Sequence, residues 1–339
     1  MPRLQELTDP HAVAQLAAGA RRRWQRRPAW PRRWRPRGRD VVLLYHRVAD
    51  GDPADDPGGM VVPPELFRQH LTAVRDWFDL VPARDVLAPH DRPTAAVTLD
   101  DGYLDNLDHA APVLREIGVP ATFFVVVDAL APDAPEYWWD RLEHLLLERG
   151  PGPDRVQVTA GPRELQLDLA TPAAARQAYA ELAAVLQRQG PDVAEQVLSV
   201  LEAARPRPPA CRRHRRLSAE QVRALAAEPL FDVGSHTCTH SALAALPRPT
   251  GRSELTSSRR QLTDLLGAAP ELLAYPYGSV GSVVRRNARD ARSAGYRAAF
   301  ANVAGPVEGA APFAVPRITV GRWSVDELRA AVMAFREPV

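Results

Sequence analysis

The chain contains no lysine, so all 43 of its basic side chains are arginine, set against 41 acidic ones for a formal net charge of +2. So even a balance excludes a surface built as a whole to hold a polyanion. With alanine and proline abundant, the exclusive use of arginine reads as the bias of a GC-rich genome rather than as a binding adaptation. Cysteine is almost as scarce. Cys211 and Cys238 make no disulfide framework, and Cys238, lying between two histidines, reads as a small buried filler rather than a ligand. No stretch approaches the roughly 20 apolar residues of a membrane span, and none supplies the about 7–15-residue apolar core of a secretory signal. The expectation from these absences is a cytoplasmic protein. Its 339 residues suffice for one large domain or two at roughly 100–200 residues each.

What is present is organised around one stretch, Thr94-Ala-Ala-Val-Thr-Leu-Asp-Asp-Gly-Tyr-Leu-Asp-Asn106. Its apolar, β-branched start suits a buried parallel strand, and the strand ends in two adjacent carboxylates and a glycine. In α/β folds chemistry collects at the carboxyl ends of such strands, which is where Asp100 and Asp101 stand. Read alone, both residues also suit a helix N-cap or a solvated turn.

A second apolar run ends in polar residues at Phe231-Asp-Val-Gly-Ser-His-Thr-Cys-Thr-His240. Four-residue spacing predicts that His236 and His240 share one side of a helical turn, a workable bite for a divalent ion. Asp101 would complete a facial set of one carboxylate and two imidazoles with positions left open for water and substrate. A third run, Leu272-Leu-Ala-Tyr-Pro-Tyr-Gly278, enters a Pro/Gly turn and adds no ligand.

These three motifs, in this order, resemble the polysaccharide deacetylase family, the NodB-homology domain of carbohydrate esterase family 4. The resemblance spans from about Val41 to about Val320. It implies an α/β fold, a distorted (β/α) barrel of about seven strands, and removal of N- or O-acetyl groups from sugars; the pattern of the residues between the first two motifs adds a mainly helical insertion. It implies a divalent metal ion, usually Zn2+, with Co2+, Ni2+ or Mn2+ as alternatives. By position Asp101, His236 and His240 match the family's metal ligands and Asp100 its general base. The backbone N–H of Tyr277 matches the donor to the tetrahedral oxyanion. A bound divalent cation lowers water's pKa to about 7 and polarises the acetyl carbonyl, while Asp100 accepts the water's proton. Tyr45, Tyr103, Pro276 and Trp138 are the candidates to line the sugar site, with burial of the insertion against the barrel as the competing reading for Trp138.

Two departures matter. Many members carry Arg where Ala274 stands and Leu-x-His where this chain has Ile318-Thr-Val320. The first residue orients the base, and the second supplies the acid that protonates the leaving amine. His46, directly after the Val41–Leu44 strand pattern, resembles the Tyr-His of a branch acting on poly-N-acetylglucosamine and is the expected replacement acid. Arg317 is the expected partner of Asp100. Two competing readings are hydrolysis of a non-sugar linear amide on the same site and a catalytically inactive carbohydrate-binding descendant.

Around these motifs the chain divides into an Arg/Trp-rich arm over 1–39, a first barrel part over 40–128, a mainly helical insertion over 129–216 and a second barrel part over 217–339. Arginines interleaved with Trp24, Trp30 and Trp34 over 21–39 suit an anionic membrane surface better than nucleic acid; a solvated tail is the alternative. A cytoplasmic enzyme, peripheral at the inner face, would meet an acetylated sugar in a polysaccharide, an oligosaccharide, or a lipid- or nucleotide-linked precursor. Helices are expected over Pro64–Phe78, Leu107–Ile117, Glu136–Glu148, Arg252–Leu266 and Ser282–Ala294, and a strand over Phe313–Val320.

Overall fold

The computed structural model describes residues 40–51, 56–148, 152–205, 214–279, 283 and 285–335. The expected arm, with its proposed anionic surface, lies outside the described residues. Strand β1 (Val41–Tyr45) is buried along its whole length, as a strand covered on both faces must be. Strands β2 (Arg47–Val48) and β3 (Val61–Val62) pair as a separate ribbon. Helix α1 (Pro64–Trp77) opens on a proline, whose missing N–H costs nothing there, and turns Phe67, His70, Leu71 and Val74 inward. After β4 (Asp79–Leu80) and β5 (Thr94–Leu99), the chain makes one wide π-type turn over 106–110 before α2 (Ala111–Ile117). Gly118 ends that helix in the left-handed region, at φ 75°.

Strand β6 (Ala121–Val125) leads into a region with its own apolar core. That region comprises α3 (Trp138–Leu146), the antiparallel hairpin of β7 (Arg155–Ala160) and β8 (Arg163–Asp168), α4 (Pro172–Leu186) and α5 (Pro191–Ala204). Val156, Val158 and Ala160 alternate inward from β7 against Leu142, Leu182 and Leu198. The chain then returns through α6 (Ala219–Ala226), whose capping box joins Ser218 and Gln221, to β9 (Phe231–Ser235).

Helix α7 (Arg248–Leu266) begins earlier than its sequence pattern indicates, because Pro249 is tolerated in the first turn. Then come β10 (Leu272–Ala274), α8 (Arg285–Ser293), β11 (Ala298–Phe300), β12 (Ile318–Thr319) and α9 (Val325–Met333). The strand expected over Phe313–Val320 contracts to β12, and only an isolated bridge between Phe300 and Val315 carries the pairing further back.

Seven strands form one path in the order β11-β10-β9-β6-β5-β1-β12, with β4 alongside β5. Every pairing in it is parallel, so all carboxyl ends lie on one side. The register aligns Tyr45 with Leu99 and Val125 with Ser235, which brings the residues after β1, β5, β6 and β9 to one level. No described helix is long and apolar enough to cross a membrane.

Close packing of the sheet makes Gly234 obligatory. A Cβ there would overlap the Phe124 ring, which is fully buried between Phe300, at 5.6 Å, and Arg317. Gly234→Ala is therefore expected to lose about 1–3 kcal/mol of stability, read as a lower urea midpoint with an unchanged slope. A midpoint equal to the wild type would show that the ring yields.

Candidate active site

Alternation along β1 sends consecutive side chains to opposite faces. Tyr45 accordingly turns to α1, with its ring edge-on to Phe67 at 4.9 Å and its hydroxyl 3.4 Å from His70 Nδ1. His46 turns the other way, into the charges of Asp100, Asp101, Arg317 and His236, where its Nδ1 is buried without a hydrogen-bond partner. The expectation that Tyr45 lines a sugar site is corrected by this geometry.

Asp100 follows β5 and receives both ends of the Arg317 guanidinium, Nη1 to Oδ1 at 2.8 Å and Nη2 to Oδ2 at 2.7 Å. Arg317 is itself buried, 5.6 Å from the Phe124 ring centroid, and also donates to Thr98 Oγ1 at 3.3 Å. Burial alone would raise the Asp100 carboxyl, but Arg317, with His236, outweighs it and holds the group below the ordinary carboxylate value. Ala274, at the position where many family members carry Arg, is buried in β10 and offers only its carbonyl. Val320, at the place of the missing histidine, is buried and apolar.

Asp101 takes a left-handed backbone, φ 73°, which aims Oδ1 between two imidazoles. His240 Nε2 lies 3.2 Å from that oxygen and His236 Nε2 lies 3.4 Å from it. Three ligands at about 2.0–2.2 Å from one ion stand at roughly such separations from each other. His236 Nδ1 donates to the Ala274 carbonyl at 2.9 Å, which turns Nε2 inward, and Asp100 and Asp101 raise this ring's pKa against the effect of burial. Asp101 Oδ1 and His240 Nδ1 are buried and receive no hydrogen bond. Burial pushes the His240 pKa down despite Asp101, which keeps the ring neutral, and Asp101 is held well below the carboxylate range by the two imidazoles against burial. A buried carboxylate oxygen without a hydrogen-bond partner, facing two imidazole nitrogens, fits a divalent cation.

The two histidines do not sit on a helical turn. The segment after β9 is a loop with Thr237 at φ 69° and His240 at φ 59°, so the rings converge by backbone reversal and not by helical period. Glu254, buried on α7, braces it. Its Oε2 accepts the N–H groups of Cys238 at 2.9 Å and Thr239 at 3.0 Å, and its Oε1 the Thr239 hydroxyl at 2.9 Å. Sequence reasoning passed over this residue, whose one signal is a carboxylate at an inward position of an amphipathic helix. Cys238 is a buried filler, as expected.

Tyr277 is the centre of a three-residue turn closed by the Gly278 N–H on the Pro276 carbonyl at 2.7 Å, and its φ of 59° is unusual for a side chain this large. A Cβ on Gly278 would overlap the Asn302 backbone, so glycine is required there. Pro276 is buried within the turn. Trp138 stays half-buried at the rim, and its indole N–H donates to the Tyr277 hydroxyl at 3.1 Å. Tyr103 also departs from expectation. It is 2% exposed and its hydroxyl is committed to Asp140, 3.0 Å from both oxygens, so it packs behind the site instead of lining it. Behind it, Asp140, Glu143 and His214 form another group of metal-ligand type, but Glu143 and His214 have further partners.

With this geometry in place, the chain was compared with known proteins. The model of the polysaccharide deacetylases matches residues 88–147 and 173–299, more than half of the chain. The chain belongs to the polysaccharide deacetylase family. YxkH of Bacillus subtilis (strain 168), named for the same family, is 32% identical over 92 residues, which are 25% of this chain and 31% of the relative. The aligned part is thus under a third of that relative's length. Among solved structures, the Streptococcus pyogenes deacetylase PplD, in complex with acetate, is similar with a TM-score of 0.55 at 17% identity, over 88% of this chain and 98% of that one. BC0361, a polysaccharide deacetylase from Bacillus cereus, is similar with a TM-score of 0.53 at 16% identity, over 86% and 68%. At such identities the likeness establishes the family's (β/α) barrel fold.

The Arg317–Asp100 pair generates a stability prediction. Arg317→Met leaves a buried carboxylate without its cation and is expected to cost about 3–5 kcal/mol at neutral pH. In the wild type the pair's contribution is present above the unfolded-state carboxylate pKa and is lost as pH falls through the lowered folded one. In the variant burial dominates and raises that pKa, so acid neutralises the stranded group and the gap to wild type narrows. Urea titrations at neutral and mildly acidic pH check this, and a gap that widens in acid would refute it.

Proposed function

We propose that the chain is a metal-dependent hydrolase removing acetyl groups, most naturally N-acetyl, from a sugar of a polysaccharide or glycoconjugate precursor. Family membership supports the reaction class, and the observation that carries the reading is the convergence of Asp101, His236 and His240 beside an arginine-clamped Asp100. Asp101, His236 and His240 would hold a divalent ion, Zn2+ by the softness of two imidazoles, and the ion would supply a Lewis acid at the acetyl oxygen.

The chain's own groups divide the remaining work. Asp100, kept ionised by Arg317, accepts the proton of the attacking water; Arg317 occupies one lone pair on each of its oxygens and leaves others for that proton. The Tyr277 N–H, at its strained turn, donates to the oxyanion that forms as the carbonyl becomes tetrahedral. His46 returns a proton to the leaving nitrogen. Burial lowers its pKa, which makes the imidazolium a stronger acid once formed. Acetate, the molecule bound in the PplD structure, is what this reaction would release.

Two experiments test the reading. Acetate release from N-acetylglucosamine oligomers and simple acetyl esters is expected to vanish on chelation, return with zinc, cobalt, nickel or manganese, and be absent in Asp100→Asn. A protein that binds metal yet releases no acetate from any of them would shift the site to a non-sugar amide or to carbohydrate binding alone. For His46, an acid that must be protonated, wild-type rates are expected to decline toward alkaline pH. His46→Ala is expected to lose that limb along with about 10²–10⁴-fold in rate. A variant that keeps the wild-type alkaline limb excludes His46 as the acid.

A further inference from the structure

The three consecutive aromatics that open α3 each touch a different loop of the site. Tyr137, N-terminal to the helix, donates its buried phenol O–H to the main-chain carbonyl of Asp101 at 2.6 Å. Trp138 donates to the Tyr277 hydroxyl at 3.1 Å, and Trp139 places its ring 4.8 Å from that of His240 while donating to the Tyr103 hydroxyl at 2.8 Å. The Tyr137 ring is itself held, stacked on Trp139 at 4.4 Å and 16° with the Arg216 guanidinium 5.1 Å from its centroid.

The end of the same region grips the same loop. Leu217 donates its N–H to the Gly102 carbonyl at 2.9 Å, Leu104 donates to the Arg215 carbonyl at 2.8 Å, and Tyr103 bridges Arg216 in antiparallel fashion. Residues 101 and 102 are both left-handed, at φ 73° and 65°, so the peptide joining them determines where the Asp101 carboxylate points. An Asp in that region costs on the order of 1–3 kcal/mol and persists only where its surroundings hold it. Tyr137 contacts that peptide directly.

We infer that Tyr137 is a positioning residue for Asp101, acting through the 101–102 peptide, and that the helical region thereby completes the site instead of merely covering it. The inference rests on the metal reading of Asp101, His236 and His240. Outer-shell partners of this kind are worth about 10–100-fold in metal affinity.

The test is Tyr137→Phe, which keeps the ring stack and removes only the donor. Zinc affinity of the full chain is measured by competition with a chromogenic chelator, and hydrogen exchange of the peptide spanning 100–103 is measured in metal-free protein. The expected result is a roughly tenfold or greater loss of zinc affinity, faster exchange confined to that peptide, and a melting temperature near the wild type's. Unchanged zinc affinity and unchanged exchange would overturn the inference. So would a variant that unfolds outright, since the hydroxyl would then hold the whole fold and not one loop. Wild-type protein that binds neither zinc nor any other divalent ion sinks the metal reading instead, and the exchange data then still decide whether Tyr137 positions the loop.

Discussion

The Asp100–Arg317 pair is the interaction on which the site depends. Its partners are separated by 217 residues, and they meet because β5 and β12 both flank β1 in one parallel sheet. A carboxylate this deep needs a cation, and a guanidinium supplies a planar, permanently charged one that matches both oxygens at once. The same arginine spans the interior from Phe124 to Thr98. Losing the pair would therefore disturb the sheet as well as the chemistry above it.

Around that anchor the loops are strained in a consistent pattern. Among the described residues, the non-glycine positions with positive φ are Asp101, Thr237, His240 and Tyr277, and all of them belong to the site loops. Each turns the chain back sharply at a strand end, so that functional atoms face one point instead of following the strand direction. Such conformations survive only under outside support. Glu254 supplies it for the histidine loop, Asn302 for the Tyr277 turn, and the aromatics at the start of α3 for Asp101.

The described region from α3 to α5 thus has two faces. One buries leucine, valine and alanine in a core independent of the sheet. The other projects tyrosine and tryptophan into the site loops, where their ring area is packed and their polar ends are hydrogen-bonded. Asp140, at the base of that second face, is raised well above the usual carboxylate range by burial, against the pull of Arg47, and is stabilised by the Tyr103 hydroxyl. The region's interior is thus separate from the sheet, while its aromatics reach the Asp101, His240 and Tyr277 loops.

Much of this was legible in the order of residues alone. Apolar runs ending in Asp-Asp-Gly, in Ser-His and in Tyr-Pro-Tyr-Gly place strands and their chemical ends, because a buried parallel strand must be continuously apolar and its first polar residues mark where it surfaces. The capping pairs at Ser218 and Ser324 mark helix starts equally well, since both partners lie within one turn. Local pattern misassigned several features that depend on side-chain direction or on backbone held by a distant partner. Tyr45 and Tyr103 carry aromatic rings of the right type beside the right motifs, yet period-two alternation and the Asp140 contact turn them inward. The histidine pair keeps its spacing but not its helix, because positive φ at Thr237 and His240 is maintained by Glu254 from another element. The sequence by itself determined the strands, the helix caps and the identity of the carboxylates and imidazoles, all set by neighbours within a few residues. The Arg317–Asp100 contact was already expected from the sequence, whereas tertiary structure alone decided that Tyr137 grips the Asp101 carbonyl and Glu254 the histidine loop, because a hydrogen bond between residues far apart in the chain exists only once the fold has brought them together.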